Sequence, residues 1–152
     1  MGIKTLEIEV PNGYEIDQEK STFENIVFKK VDDIIIKWNR NHNGVEIKAD
    51  GEHFVLDSNP SYIMNWDDSI RFYNNIHRSH TWNLPTVEQL QIVYKYFDEI
   101  NNVIKDNGGF VLYKSLYLAQ KSESCECVNM CNGYTRNNSG NFKFFVRAVS
   151  NL

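Results

Sequence analysis

Three cysteines, Cys125, Cys127 and Cys131, fall within seven residues, and the chain has no others. Three thiolates joined by a histidine can hold zinc tetrahedrally, but structural zinc sites are usually built on Cys-x-x-Cys pairs. Here His42, His53, His77 and His80 are all distant from the thiols in sequence. An odd, local set is also not the framework of a secreted disulfide scaffold. Free thiols in a mobile loop, or one facultative disulfide, are therefore the expected state. Cys125, Cys127 and Cys131 are the only metal candidates, and no cofactor is implied.

His77-Arg78-Ser79-His80 offers two imidazoles three residues apart, the residue type that titrates near neutral pH and serves as acid, base or ligand. Spacing sets no carboxylate or nucleophile beside them, so a polar connection between helices is the better expectation. No catalytic residue is assigned. Gly108-Gly109 is not a phosphate loop, because no Gly-Lys-Ser/Thr follows and the pair ends a helical run instead of starting one. The polar stretch 121–141 holds Tyr134, Arg136, Asn137, Asn138 and Ser139, residue types that make adaptable contacts in recognition loops. Of these, Tyr134, Arg136, Asn137 and Asn138 are the candidate ligand-binding residues.

Positioning these groups falls to a series of short elements. Leu6, Ile8 and Val10 alternate with Glu7 and Glu9, the period-two pattern of a strand with one buried face, and Pro11-Asn12-Gly13 supplies turn chemistry after it. Phe23, Ile26 and Phe28 lead into a second strand, and Ile34-Ile35-Ile36 with Trp38 forms a third. Asn43-Gly44 and Asp50-Gly51 separate Val45–Lys48 and His53–Leu56 from their neighbours, which predicts an antiparallel meander over 34–57 with a wider loop at 39–43. Asn65 caps a helix with Trp66, Ile70, Tyr73 and Ile76 on one face, failing near His77 to His80. A second helix opens at Thr86, where Gln89 completes a capping box behind Pro85. Its apolar stripe runs through Leu90, Val93, Tyr94, Phe97, Ile100 and Ile104, and Asn107-Gly108-Gly109 stops it. Phe110–Tyr113 and Tyr117–Ala119 read as short buried strands, and 121–141 as a long loop or loose hairpin. Phe142 to Val149 closes the chain as one strand. Arg147 inside it must point outward or find an acidic partner, because an unpaired buried guanidinium is very costly.

At 152 residues the chain is long enough for one core, and a single domain over 1–152 is expected, with an N-terminal strand segment over 1–50 and the main body over 52–151. Hydrophobic residues make up 41% and charged residues 24%, a globular composition. A net charge of −4, with no basic stripe beyond Lys29-Lys30, argues against a phosphate-backbone binder, so no nucleic-acid partner is expected. No window approaches the ~18 apolar residues of a membrane span, and the first ten residues carry no signal-peptide core. The expected setting is therefore cytoplasmic or particle-associated.

Four motifs occur in order: Trp66-Asp67-Asp68-Ser69-Ile70, Trp82-Asn83-Leu84-Pro85-Thr86-Val87-Glu88-Gln89-Leu90, Gly108-Gly109 and Phe145-Val146-Arg147-Ala148-Val149. Together they resemble a large group of uncharacterised bacterial and phage-associated domains with the C-type-lectin-like fold of the formylglycine-generating enzyme and of phage tropism determinants. The similarity covers roughly residues 52 to 151; Leu116-Tyr117-Leu118-Ala119 departs from it where that group usually has Tyr-Trp-Ser-Ser. Ile8 to Asp17, on through Phe28-Lys29, is similar to a lead-in segment of assorted bacterial proteins. The resemblance implies an α+β, C-type-lectin-like fold in which two helices pack on a twisted antiparallel sheet, with N-terminal strands. It also places ligand contact in the late region of the fold. The calcium-binding Glu-Pro-Asn and Gln-Pro-Asp signatures of true C-type lectins are absent, although Glu123 and Glu126 flank the cysteines.

The expected function is a non-enzymatic interaction module presenting the C-terminal polar loop to a protein or glycan. One alternative is a structural component of a phage or mobile-element particle that self-associates. The other is an oxidase of the formylglycine-generating type using Cys127 and Cys131, although that family spaces its reactive pair by four residues.

Overall fold

The computed structural model describes residues 8–11, 14–22, 24–30, 33–75, 81–120, 124–138 and 140–152. Contacts divide the chain into two compact units, Met1–Asp33 and Ile34–Leu152, so the meander falls in the second.

In the first unit, β1 (Tyr14–Ile16) pairs antiparallel with β2 (Phe28–Lys30), Ile16 opposite Phe28. Side chains tie the connection: Ser21 Oγ accepts from Val27 N at 2.8 Å, and Asp17 Oδ1 accepts from the Glu19 and Lys20 amides at 3.1 Å each. The strand expected through Ile8 and Val10 does not form at residues 8–11. Val10 is exposed, and Pro11 gives its carbonyl to the Tyr14 amide in a turn, so the alternating pattern has no surface to pack on. Leu6, Asn12, Gly13 and Phe23 lie outside the described residues.

Among the described residues, the second unit is a mixed α+β structure of two sheets and three helices. In chain order it runs β3 (Ile35–Asn39), β4 (Gly44–Ala49), β5 (Glu52–Asp57), β6 (Tyr62–Met64), α1 (Trp66–Asn75), α2 (Val87–Lys95), α3 (Phe97–Asp106), β7 (Leu116–Leu118), β8 (Cys125–Asn129), β9 (Thr135–Asn138), β10 (Phe144–Val146) and β11 (Val149–Asn151). One sheet has the order β11-β5-β4-β3 and is antiparallel throughout. The other has the order β6-β10-β7-β8-β9 and is mixed: β10 runs parallel to β7, with Phe145 opposite Tyr117. A wholly antiparallel sheet under two helices is thereby corrected.

Turn chemistry sets the first sheet. Asp50 and Gly51 both have positive φ, 50° and 81°, the requirement of a two-residue type I′ hairpin. The β3–β4 loop is wider, Arg40 to Asn43, with Asn39 opposite Gly44. Gly44 begins β4, and a Cβ there would collide with the Leu56 carbonyl and with Val55 Cγ1 at 2.8 Å, so only glycine lets β4 approach β5.

The helices start and stop as local chemistry dictates, with one interruption. Asn65 Oδ1 accepts from the Asp68 amide at 2.8 Å to cap α1. The Thr86–Gln89 box opens α2 through bonds of 3.1 and 3.0 Å. The run then breaks at Tyr96 (φ −113°, ψ 29°), so one expected helix is two. Before the break, Ile92 joins Leu90 and Val93 in the core, while Tyr94 is exposed. After α3, Gly109 N donates to Ile104 O at 2.9 Å and Gly108 N to Lys105 O at 3.2 Å, with Gly108 at φ 73°, which is a Schellman cap.

Two apolar clusters result. Val45, Ile47, Phe54 and Leu56 on one face of the first sheet meet Leu90, Val93, Ile100 and Ile104 of α2 and α3, together with Tyr117 and Val128 of the second sheet. The other cluster joins Val55, Trp82, Leu84, Leu118, Val146 and Ala148 to Trp66, Ile70 and Tyr73 of α1. Trp82 and Leu84 are thus wedged inward.

Two further expected strands fail, both in the second unit. Phe110–Tyr113 is irregular and mostly exposed, only Leu112 being buried, because most of its backbone groups are taken by side chains and none by a ladder. Asn101 holds Leu112 at both N and O, 2.8 and 3.2 Å. Phe142 to Val149 is not one strand either: β10 and β11 belong to different sheets, and Arg147-Ala148 carries the chain between them.

Candidate contact surface

Of the polar stretch at 121–141, residues 125–138 form a hairpin, the second of the two expected forms. β8 and β9 pair antiparallel, Cys125 opposite Asn138, Glu126 opposite Asn137, Cys127 opposite Arg136 and Val128 opposite Thr135. Alternation buries Cys125 and Cys127 on β8. The tip is fixed by its own amides. Cys131 N donates to Asn129 Oδ1 at 2.8 Å, Tyr134 N to Asn132 Oδ1 at 2.9 Å, and Gly133 N to Asn129 O at 2.7 Å. Gly133, at φ 76°, lies on the ring of Tyr94: a Cβ there would stand 2.6 Å from Cδ1. Tyr94 therefore clamps the tip from α2, which explains why an aromatic of the expected core stripe faces outward.

The four candidate residues lie on this hairpin but do not converge on one face. Tyr134 projects from the tip, 72% exposed. Arg136 and Asn137 are exposed on opposite faces of β9, and Asn138 is half-buried, its Nδ2 donating to Cys127 Sγ at 3.2 Å. The surface on offer is an edge and a tip, not a pocket. Ser139, Lys121 and Glu123 lie outside the described residues, as do His77 to His80.

The thiols do not gather into a metal set. Cys125 and Cys127 sit inside a strand and not in a mobile loop; Cys131 is exposed in the turn, its Sγ donating to Lys114 O at 3.3 Å. All three are free. Burial pushes the Cys127 thiol up, against the opposing effects of Arg136 and of the Asn138 bond, and so makes it a weaker nucleophile. Among the described residues no group of three or more His, Cys, Asp or Glu could hold a metal ion.

Two polar centres lay hidden in the sequence. Arg147 is buried and not outward; the acid near it is Asp57, whose charge favours the guanidinium, while its hydrogen bonds go to neutral acceptors. Its guanidinium donates to the carbonyls of Asp57, Phe110 and Val111 at 2.9, 2.7 and 3.2 Å, and to Ser61 Oγ at 3.1 and 2.9 Å. Desolvation lowers its pKa, opposed by the nearby Tyr117 and Asp57. Tyr117 OH extends the network, sharing a 2.9 Å bond with Ser61 Oγ and accepting from the Tyr113 amide at 3.0 Å. Arg147 thus supplies the donors that a ladder would otherwise have given to 110–111.

The second centre is Glu46 on the first sheet. His53 Nε2 lies 3.1 Å from its Oε2, Asn39 Nδ2 donates to Oε1 at 2.9 Å, and Lys37 Nζ is 4.0 Å away. The His53 bond, then Asn39 and Lys37, hold the carboxyl below its ordinary range against the cost of burial. The pairing was readable in principle, since the Asp50-Gly51 hairpin makes Glu46 and His53 diagonal neighbours on one face.

Fold and surface together define a mixed α+β chain that carries an exposed, internally braced polar hairpin. Neither a protein-family model nor a curated protein matches it. Among the described residues, no helix is long and apolar enough to cross a membrane.

Proposed function

We propose that the chain is a non-enzymatic binding module of C-type-lectin-like fold that presents the β8–β9 hairpin to a protein or glycan partner. The observation that carries this is the tip: Tyr134 is 72% exposed, yet its backbone is held by Asn132 and Asn129 and the adjacent Gly133 rests on Tyr94. A large amphipathic side chain on a pre-ordered backbone loses little entropy on binding. An oxidase using Cys127 and Cys131 is less well supported, because one thiol is buried with its pKa raised and the other faces the Lys114 carbonyl. Affinity capture with the intact chain and with a Tyr134→Ala/Arg136→Ala variant tests the proposal. Partners held by the parent are expected to be lost from the variant at unchanged melting temperature, and equal capture would sink the hairpin's role.

Self-association, as in a particle component, has its own support at the opposite end of the second sheet. β6 is the terminal strand of that sheet among the described residues, with no charge in Tyr62–Met64 and Ile63 61% exposed. Ile63 lies beside Phe145, whose ring meets Tyr113 at 5.2 Å, so the apolar surface continues inward. An uncharged edge with an apolar face is a template for another strand. Light scattering across a concentration series is expected to show a dimer or larger species that Ile63→Lys disperses; a monomer at every concentration counts against it.

A further inference from the structure

The outer side of β9 carries main-chain groups that no strand uses. On its two sides β8 is bonded in alternation: Asn129 N donates to Tyr134 O at 2.9 Å toward β9, and Ala119 N donates to Glu126 O at 2.9 Å from the β7 side. Bonded and non-bonded pairs alternate along an antiparallel ladder, so Arg136 and Asn138 turn their main-chain groups toward β8 while Thr135 and Asn137 turn theirs away. Neither Thr135 nor Asn137 has another main-chain partner among the described residues, where β9 is the terminal strand. We propose that an extended peptide segment of a partner protein adds antiparallel along this edge, with an acidic side chain opposite Arg136. Strand addition presupposes the hairpin's binding role and narrows its partner from a protein or glycan to an extended peptide.

The unused groups set the class of ligand. Two residues spaced two apart, each offering an N–H and a C=O in strand geometry, are matched by another strand. A peptide bonded to both Thr135 and Asn137 places its intervening residue opposite Arg136, at the non-bonded position where cross-strand side chains come closest. Arg136 is exposed and forms no ion pair among the described residues. Its cross-strand neighbour is Cys127, and Glu126, the carboxylate of β8, opposes Asn137 on the other face. A carboxylate in the peptide therefore meets a cation that the hairpin leaves unneutralised. Tyr134, 72% exposed, lies two residues back on the Arg136 face. In the antiparallel sense it receives the side chain two positions after the acid, where a β-branched or aromatic residue packs best.

A second copy of the chain matches this edge less well. In an antiparallel pair of β9 strands, use of both Thr135 and Asn137 sets Arg136 opposite Arg136, and like charges directly opposed are destabilising. β6, the other terminal strand of the sheet among the described residues, has no charge to offer over Tyr62–Met64. The edge is also ordered in advance. Asn129, Asn132 and the Tyr94 ring hold the tip from which β9 runs, so adding a strand costs the chain little freedom.

The test is an amide NMR titration of the isotopically labelled full chain with the blocked peptide Thr-Val-Thr-Glu-Thr-Val-Thr. Saturable shifts are expected over Thr135 to Asn137, largest at the Thr135 and Asn137 N–H groups. N-methylation of the two residues flanking the Glu removes the donors to the Thr135 and Asn137 carbonyls without changing charge, and is expected to weaken binding about tenfold. Lys in place of the Glu is expected to weaken binding about fivefold, and Arg136→Glu to reverse that preference at unchanged melting temperature. No saturable response, undiminished binding of the N-methylated peptide, or an unreversed preference in Arg136→Glu would each overturn strand addition, as would a captured partner that glycosidase treatment releases. Partner capture that still requires Tyr134 and Arg136 while the peptides stay inert would strike strand addition alone and leave the hairpin's role standing.

Discussion

Single side chains decide more of this structure than the regular elements do. Glu46 illustrates the point with a definite sign. Its carboxyl is held below the ordinary range by His53, Asn39 and Lys37, so its contribution to stability is complete above the unfolded carboxylate pKa and is lost as pH falls through the folded one. Glu46→Gln is therefore expected to melt lower than the parent at pH 7, with the gap closing in acid. Equal melting temperatures at pH 7 would show that the cluster adds nothing. Residues whose role is local were legible in the sequence: Thr86 and Gln89 cap each other across three positions, and Asn107-Gly108-Gly109 ends a helix by backbone geometry that glycine alone adopts cheaply. Arg147 was not. Its acceptors lie at Asp57 and Ser61 and at Phe110 and Val111, and no local pattern announces that two segments so far from Arg147 and from each other will meet around one guanidinium. The thiols misled for a related reason: polar neighbours suggest a loop, whereas burial follows strand alternation once β8 has a partner on each side.

At the scale of elements, the informative departures are breaks. The interruption at Tyr96 ends α2 just after Tyr94, which lies off the buried face of α2 and supports the hairpin tip. Substitution separates that contact from backbone strain. Gly133→Ala and Gly108→Ala both place a side chain at positive φ, 76° and 73°, but only the first meets a neighbour, the Tyr94 ring. Each is expected to lose about 1–2 kcal/mol from the left-handed backbone alone. Gly133→Ala should lose more in urea denaturation and should also weaken partner capture. Equal losses would mean that Tyr94 does not hold the tip. The split of Phe142 to Val149 into β10 and β11 is the other break. A continuous apolar alternation predicts one strand, but β10 finds β6 and β7 while β11 finds β5, and the chain must change sheets between them.

Across the whole molecule, the mixed α+β class and the meander were foreseeable from turn dipeptides and periodicity, while the pairing of distant strands was not. The order β6-β10-β7-β8-β9 joins segments from residue 62 to residue 146, and the parallel pair within it has no counterpart in the linear pattern. That topology carries the β8–β9 hairpin to one end of the sheet and leaves β9 as its terminal strand among the described residues. Presentation of this hairpin to a partner is the central claim, and hydrogen exchange on the intact chain, with and without a captured partner, tests it most directly. New protection concentrated in residues 134–138, with the β6 edge unchanged, is the predicted result. Protection elsewhere with 134–138 unaltered would contradict it.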